Sequence, residues 1–315
     1  MRSAGRVVKR PHDCKFNDRG VLSHRPWRIA AVAVDHYENF PVASLLCPAA
    51  LRPAVEAIYS FARSADDIAD EGDAKPEERL ASLAAFREDL AASAAGVPPS
   101  ARWPQVFVPL AAAIDRHRLP VALLGALLDA FTQDVTTVRY ADRATLLDYC
   151  RRSADPVGRL LLHLYGIGDA EALARSDAIC SALQLANFWQ DLGRDARHGR
   201  LYVPEADCRR HGVAPADLLA GVDSEAVHAL VLDLVAWARE LMRFGAPLAH
   251  RVPGRAGWEL RLVVQGGLRV LERIERLRGA TLGERPQLGW ADAPSIAWRA
   301  LRMRRPEPGR SERIA

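Results

Sequence analysis

Two stretches carry carboxylates at a spacing that only a helix turns into a single surface. In "YSFARSADDIAD", Tyr59, Arg63, Asp66 and Asp70 fall at offsets 0, 4, 7 and 11, which at about 100° per residue keeps them within about 60° of one another. In "QLANFWQDLGRD", Gln184, Asn187, Asp191 and Asp195 fall at 0, 3, 7 and 11, within about 80°. The last two carboxylates of each stripe stand one turn apart, about 6 Å along the axis. Such a pair repels itself and weakens its helix unless a cation sits between the charges. Oxygen ligands without His or Cys favour a hard cation, and Mg2+ takes one or two carboxylates while keeping positions for water and phosphate. The spacing therefore predicts Mg2+ bridging a diphosphate between two facing helices, with Asp66, Asp70, Asn187, Asp191 and Asp195 as ligands and the four aspartates as catalytic candidates.

The other reading of "DDIADEGD" at 66–73 is a helix end running into a solvated acidic loop. "ANFWQDLGRD" resists that reading. Leu183, Leu185, Ala186, Phe188, Trp189 and Leu192 leave little surface for solvent, and buried unpaired charge is too costly to persist. A diphosphate also needs cationic and hydroxyl donors. Arg63 lies on the first stripe, and Arg200 and Tyr202 of "GRLYVP" follow the second by a short loop, so they could close over phosphates. Their plain alternative is a surface arginine and a packed tyrosine. Arg194 and Arg197 interleave with the acids and balance local charge.

The elements that must position these residues are helical. Apolar residues recur at three and four between positions 43 and 278, and two-residue alternation is scarce. Helices are expected near 49–71, 76–95, 104–117, 120–138, 142–153, 157–166, 170–193, 223–249 and 255–278. Pro76 with Glu77 and Glu78, Asp142 and Pro156 mark helix starts, and Gly166, Gly168 and Gly279 lie where left-handed terminal residues are needed. "AAGVPPS" at 95–100 is a turn between helices, and no second domain or internal repeat is visible. The expected division is a loose arm over 1–30, one helical domain over 31–280 and an Arg/Pro-rich tail over 281–315 that frays from about Gly279.

Composition narrows the partners. The chain has 315 residues, 49% of them apolar, with 43 basic against 39 acidic residues for a net charge of +4. That balance is too even to argue for nucleic acid. The first thirty residues lack the apolar stretch of a secretory signal, and Asp13 and Asp18 interrupt the basic run of a transit segment. Five cysteines, at 14, 47, 150, 180 and 208, show neither CxxC nor Cys/His spacing. Structural zinc and a disulfide frame are not expected, and a reducing cytoplasm fits. No uncharged apolar run reaches the length of a spanning helix, so any membrane contact would be peripheral, at the inner face. The basic tail has two readings, a solvated end or a contact with anionic lipid.

The two stripes, in order and about 120 residues apart, resemble the aspartate motifs of the squalene/phytoene synthase family, the head-to-head prenyl condensing enzymes. Tyr59 and Arg63 precede the first as in that family. Gln184 stands upstream of the second, and Arg200-Leu201-Tyr202 looks like the family's flap. The resemblance covers roughly residues 34 to 280. "HYENFPVAS" at 36–44, "SADPVGRLLLHLYG" at 153–166 and "NFWQDLGRD" are similar to the hopanoid-associated hydroxysqualene synthase branch.

That likeness implies an all-α, single-domain isoprenoid synthase bundle with a central active-site cavity. It implies presqualene diphosphate as substrate, ionised with Mg2+ and captured by water, between a presqualene diphosphate synthase and a hydroxysqualene dehydroxylase. Tyr59, Arg63, Gln184, Asn187, Arg200, Tyr202, Asn39 and Phe40 are the implied substrate-binding residues. His36, Tyr37, Asn39 and Asp155 are polar candidates for placing water; Asp155 departs from the small-residue turn usual at Ala154-Asp155-Pro156. Phe40, Phe61, Phe188 and Trp189 could attract a cation through their faces or serve as core. Rival readings are condensation of two farnesyl diphosphates, a class I terpene cyclase, and a non-catalytic helical lipid-binding or assembly protein.

Overall fold

The computed structural model describes residues 47–304. Among them are twelve α-helices and no strand: α1 (Arg52–Asp70), α2 (Pro76–Ala94), α3 (Pro104–His117), α4 (Val121–Asp134), α5 (Arg143–Ser153), α6 (Asp155–Leu164), α7 (Ala170–Arg197), α8 (Glu205–Arg210), α9 (Pro215–Leu219), α10 (Glu225–Gly245), α11 (Gly254–Arg276) and α12 (Ala293–Arg302). The starts follow local chemistry. Asp142 accepts from the Thr145 N–H at 2.8 Å while the Thr145 hydroxyl accepts from the Asp142 N–H at 3.1 Å, a reciprocal cap that begins α5. Asp169 caps α7 and Ser224 caps α10 in the same sense. Pro76 and Pro156 lie in first turns, where a missing N–H is harmless. Gly166 and Gly279 are left-handed, with φ of 69° and 84°, whereas Gly168 is not.

The centre of the described fold is α7, whose buried residues lie on every side. Its C-terminal half, Leu185 to Ala196, packs with Val227 to Ala238 of α10, Leu146 and Tyr149 of α5 and Val270 to Ile274 of α11. Its N-terminal half packs with Met242, Leu248 and Val264. Close approach rests on bare backbone. A Cβ at Gly158 of α6 would meet Ser176 and Cys180, and one at Gly267 of α11 would meet Leu183. A separate apolar grouping joins α1 to α4 around Phe61, Phe86 and Phe107, whose ring centroids lie 4.6 to 6.1 Å apart.

Two expectations need correcting. The helix expected over 170–193 continues to Arg197, so the whole second stripe, Asp195 included, lies on one helix as its spacing required. The segment after Gly279 does not fray before Arg304. Thr281 and Leu282 are buried, and α12 is anchored through buried Asp292, which accepts from Arg269 Nε and Arg273 Nη2 of α11 at 2.8 Å each. Two short helices, α8 and α9, were also unexpected. Positions 1–46 and 305–315 lie outside the described residues, and with them the arm and His36, Tyr37, Asn39 and Phe40.

Candidate active site

The helices α1 and α7 send their C-terminal ends the same way. Val55 and Ile179, in their N-terminal halves, line one cavity, and at the other end Arg200, just past α7, pairs with Asp70 on α1. Asp70 also helps raise the pKa of Asp195. The acidic stripes therefore face each other at one end of the fold. The end of α1 carries acids where its dipole favours bases, with no basic residue in its last turn, whereas Arg194 and Arg197 share the last turn of α7 with Asp195. The result is a region of concentrated negative potential.

The carboxylates register that potential. Asp195, 8% exposed, is pushed up to about 7 by burial and then by Asp191. Asp66 is pushed up to about 6 by burial, with Asp70, Asp67 and Glu71 adding to the rise and Arg63 opposing it. Asp134, at the end of α4, is pushed up to about 7, by burial first and with Asp66 and Asp70 contributing. It escapes a purely sequential reading because it belongs to neither stripe. One signal was available: Leu127, Ala130 and Asp134 continue the buried stripe of an otherwise apolar helix.

Asp134 is joined to a second residue missed from the sequence. The Tyr149 hydroxyl donates to Asp134 Oδ2 at 2.8 Å, while Asp134 Oδ1 is buried without a hydrogen-bond partner. Tyr149 belongs to an aromatic wall. Tyr202 stacks on Phe188 with centroids 3.8 Å apart and planes 5° from parallel, and Tyr140 stacks on Tyr202 at 5.7 Å. Burial, followed by Asp134, holds the Tyr149 phenol protonated well above its ordinary range.

Two arginines neutralise part of the acid. Arg200 bonds to Asp70, bringing together two residues that sequence reasoning placed on different motifs. Arg285 pairs with Asp191 through Nε and, at 3.3 Å, through Nη2. It sits in a stretch read as loose tail, so only the fold reveals it. The same stretch grips α7 twice more. Gln190 donates to the Pro286 carbonyl at 2.5 Å, and a Cβ on Gly193 would run into the Leu282 carbonyl.

The remaining candidates divide. Arg63 pairs with Asp66, Asp67 and Glu71 of its own chain end, at 3.2, 2.8 and 2.7 Å. Tyr59, Gln184 and Asn187 are half-buried on the expected helices. Phe61 and Trp189 are sealed in apolar groupings, so of the aromatic candidates described Phe188 alone shares the wall beside the acids. Asp155 is buried, accepts from the Ser181 hydroxyl at 2.9 Å and is raised to about 7, by burial first and then Asp177. The apolar cavity is lined by Val55, Leu161, Tyr165, Ile179, Leu260 and Val263 among others and opens on one side to solvent. Ile179 stands sixteen residues before Asp195, about 24 Å along α7, so hydrocarbon and charge are offered at opposite ends.

A divalent cation fits this donor set. The candidate ligands are all oxygens, and Asp66 and Asp195 are left with raised pKa values that a nearby cation would relieve. Among the described residues no group of three or more acidic, His or Cys side chains is gathered closely enough to hold a metal ion by itself.

The model of the squalene/phytoene synthase family matches residues 33–292. The chain belongs to that family. Its members process prenyl diphosphates. A hydroxysqualene synthase of Zymomonas mobilis subsp. mobilis is 38% identical over 184 residues, 58% of this chain and 59% of that protein's length. A presqualene diphosphate synthase of Rhodopseudomonas palustris is 34% identical, covering 66% of this chain and 72% of that one. The crystal structure of squalene synthase HpnC from Alicyclobacillus acidocaldarius superposes with a TM-score of 0.71 at 38% identity, over 77% of this chain and 90% of that one. The fold is the helical isoprenoid synthase fold, as expected. No helix among the described residues is long and apolar enough to cross a membrane.

Proposed function

We propose that this protein converts presqualene diphosphate and water to hydroxysqualene and diphosphate. The observation that carries the reading is the meeting of the two acidic stripes around Arg200 and Asp70, with an apolar cavity set along the same helices. The similarity to hydroxysqualene synthases supports the choice of reaction. Asp66 and Asp70 on α1, with Asn187, Asp191 and Asp195 on α7, would hold Mg2+. Bound there, it would neutralise negative charge on the departing diphosphate.

The chain's own groups do the rest. Arg200 is placed to exchange its bond with Asp70 for a diphosphate oxygen, and Tyr202 and Arg63 flank it. Phe188, stacked on Tyr202 and beside Tyr149, is the aromatic ring of this wall that would stabilise cationic carbon. Breaking the carbon–oxygen bond to diphosphate leaves an electron-poor carbon. Water bonds to that carbon and must then lose one proton, which Asp134, with its open Oδ1 and a pKa of about 7, can accept beside Tyr149. The reaction sequence needs an enzyme that makes presqualene diphosphate before it and one that removes the hydroxyl after it.

The test is to supply presqualene diphosphate and Mg2+ to purified protein and identify products by mass. A C30 alcohol with equimolar pyrophosphate is expected. The similarity to a presqualene diphosphate synthase favours the second reading, condensation of two farnesyl diphosphates. Product from farnesyl diphosphate, and none from presqualene diphosphate, would install that reading instead.

A further inference from the structure

The end of the chain turns an unusual face outward. α12 packs one side on α11, where Ala300 is buried and Arg299 pairs with Glu272. Its other side carries Pro294, Ala297, Trp298 and Leu301, at helical spacing and all exposed. Trp298 is 55% exposed, Leu301 60%, and Trp290 just ahead of the helix 65%. Trp258 and Leu262 form another exposed pair, one turn apart on α11. The exposed tryptophans of the described residues thus gather on the two helices that end the fold.

Charge accompanies them. From Ala293 to Arg304 the chain has Arg299, Arg302 and Arg304 and no acid. The Arg302 guanidinium lies 4.2 Å over the Trp298 ring and that of Arg261 lies 4.3 Å over Trp258. Exposed tryptophan beside arginine on an amphipathic helix suits the boundary between lipid headgroups and acyl chains. At ten residues, about 15 Å long, α12 can lie in that boundary but not cross it.

We propose that the outer face of α12, with Trp290, docks the protein on an anionic phospholipid bilayer. A second copy is a poor occupant, since a two-fold contact would set Arg302 and Arg304 against their own counterparts. The segment 1–46 is equally unsuited, with eight Lys and Arg against four acids. This inference does not depend on which reaction the protein performs.

Sedimentation with phosphatidylcholine vesicles, with and without phosphatidylglycerol, tests it. The full chain should bind only the phosphatidylglycerol vesicles, and less as salt rises. Trp298→Ser with Leu301→Ser, or Arg302→Glu with Arg304→Glu, should weaken binding about tenfold or more, with unchanged circular dichroism and unchanged turnover of detergent-dispersed substrate. Replacing Arg305, Arg310 and Arg313 by Ser should leave binding in place. Failure of the wild type to bind, wild-type binding by either double variant, or loss of binding in the tail variant would each overturn the proposal. So would light scattering that shows a dimer dissolved by the Trp298 and Leu301 changes.

Discussion

Aspartates that packing partly or wholly desolvates come in two kinds in this protein. Asp292 works against burial but is held down at about 2 by the Gly289 N–H, Arg269 and Arg273. Asp233 is likewise lowered despite burial, by a His211 hydrogen bond and by Arg143 and Arg210. Asp66, Asp134 and Asp195 face the opposite way, all raised. The first group has more cation than it needs and ties helices together. The second has too little, and under the proposed function a divalent cation bound with the diphosphate would supply the rest. Burial alone therefore does not set a carboxylate's pKa; the cations and donors around it do.

The sharpest test acts on the uncompensated group. Asp195→Ala and Asp66→Ala should each lower turnover by about a thousandfold or more while leaving far-ultraviolet circular dichroism unchanged; near wild-type pyrophosphate release would dissolve the distinction. Asp292→Ala should do the reverse. It removes the carboxylate shared by Arg269 and Arg273, leaving Arg269 with Glu272 alone beside a buried gap, and should lose about 3–5 kcal/mol of stability in urea unfolding, with kcat retained in the folded fraction.

The pH responses should have opposite signs. A carboxylate raised in the folded state binds protons that the unfolded chain has already released, so its stabilisation is present below about pH 4 and is lost as pH rises through 6 to 7. Without divalent ions the thermal midpoint should fall between about pH 5 and pH 8, and Mg2+ should restore it at pH 8 more than at pH 5. Asp195→Asn should raise the midpoint at pH 8 without Mg2+ while removing activity. Asp292 stabilises above the ordinary carboxylate range, and its contribution disappears as pH falls toward 2. The smallest expected change belongs to Arg63→Ala. Its exposed ion pairs contribute little to folding, so KM should rise by about tenfold or less with the midpoint nearly unchanged.

The acidic stripes were legible because helical periodicity is a local property, and four residues at 0, 4, 7 and 11 report their own alignment. Helix starts at Asp142 and Pro76 were legible for the same reason. Asp134 with Tyr149, and Arg285 with Asp191, were not, since each pair depends on which helices become neighbours. α12 was missed through composition: Arg and Pro near the end suggested solvation, although Ile296, Ala300 and Met303 already marked an inward stripe. What stayed hidden was partnership in three dimensions, not the placing of the two acidic stripes on α1 and α7.

The grip on α7 by Leu282, Arg285 and Pro286 has a consequence for synthesis of the protein. Arg285 lies 94 residues beyond Asp191, so a ribosome delivers the acidic end of α7 long before its neutralising neighbour. A nascent chain must hold the acids of α7 without Arg285 while those 94 residues are added. The acidic end of α7 is thus completed well after it has been synthesised.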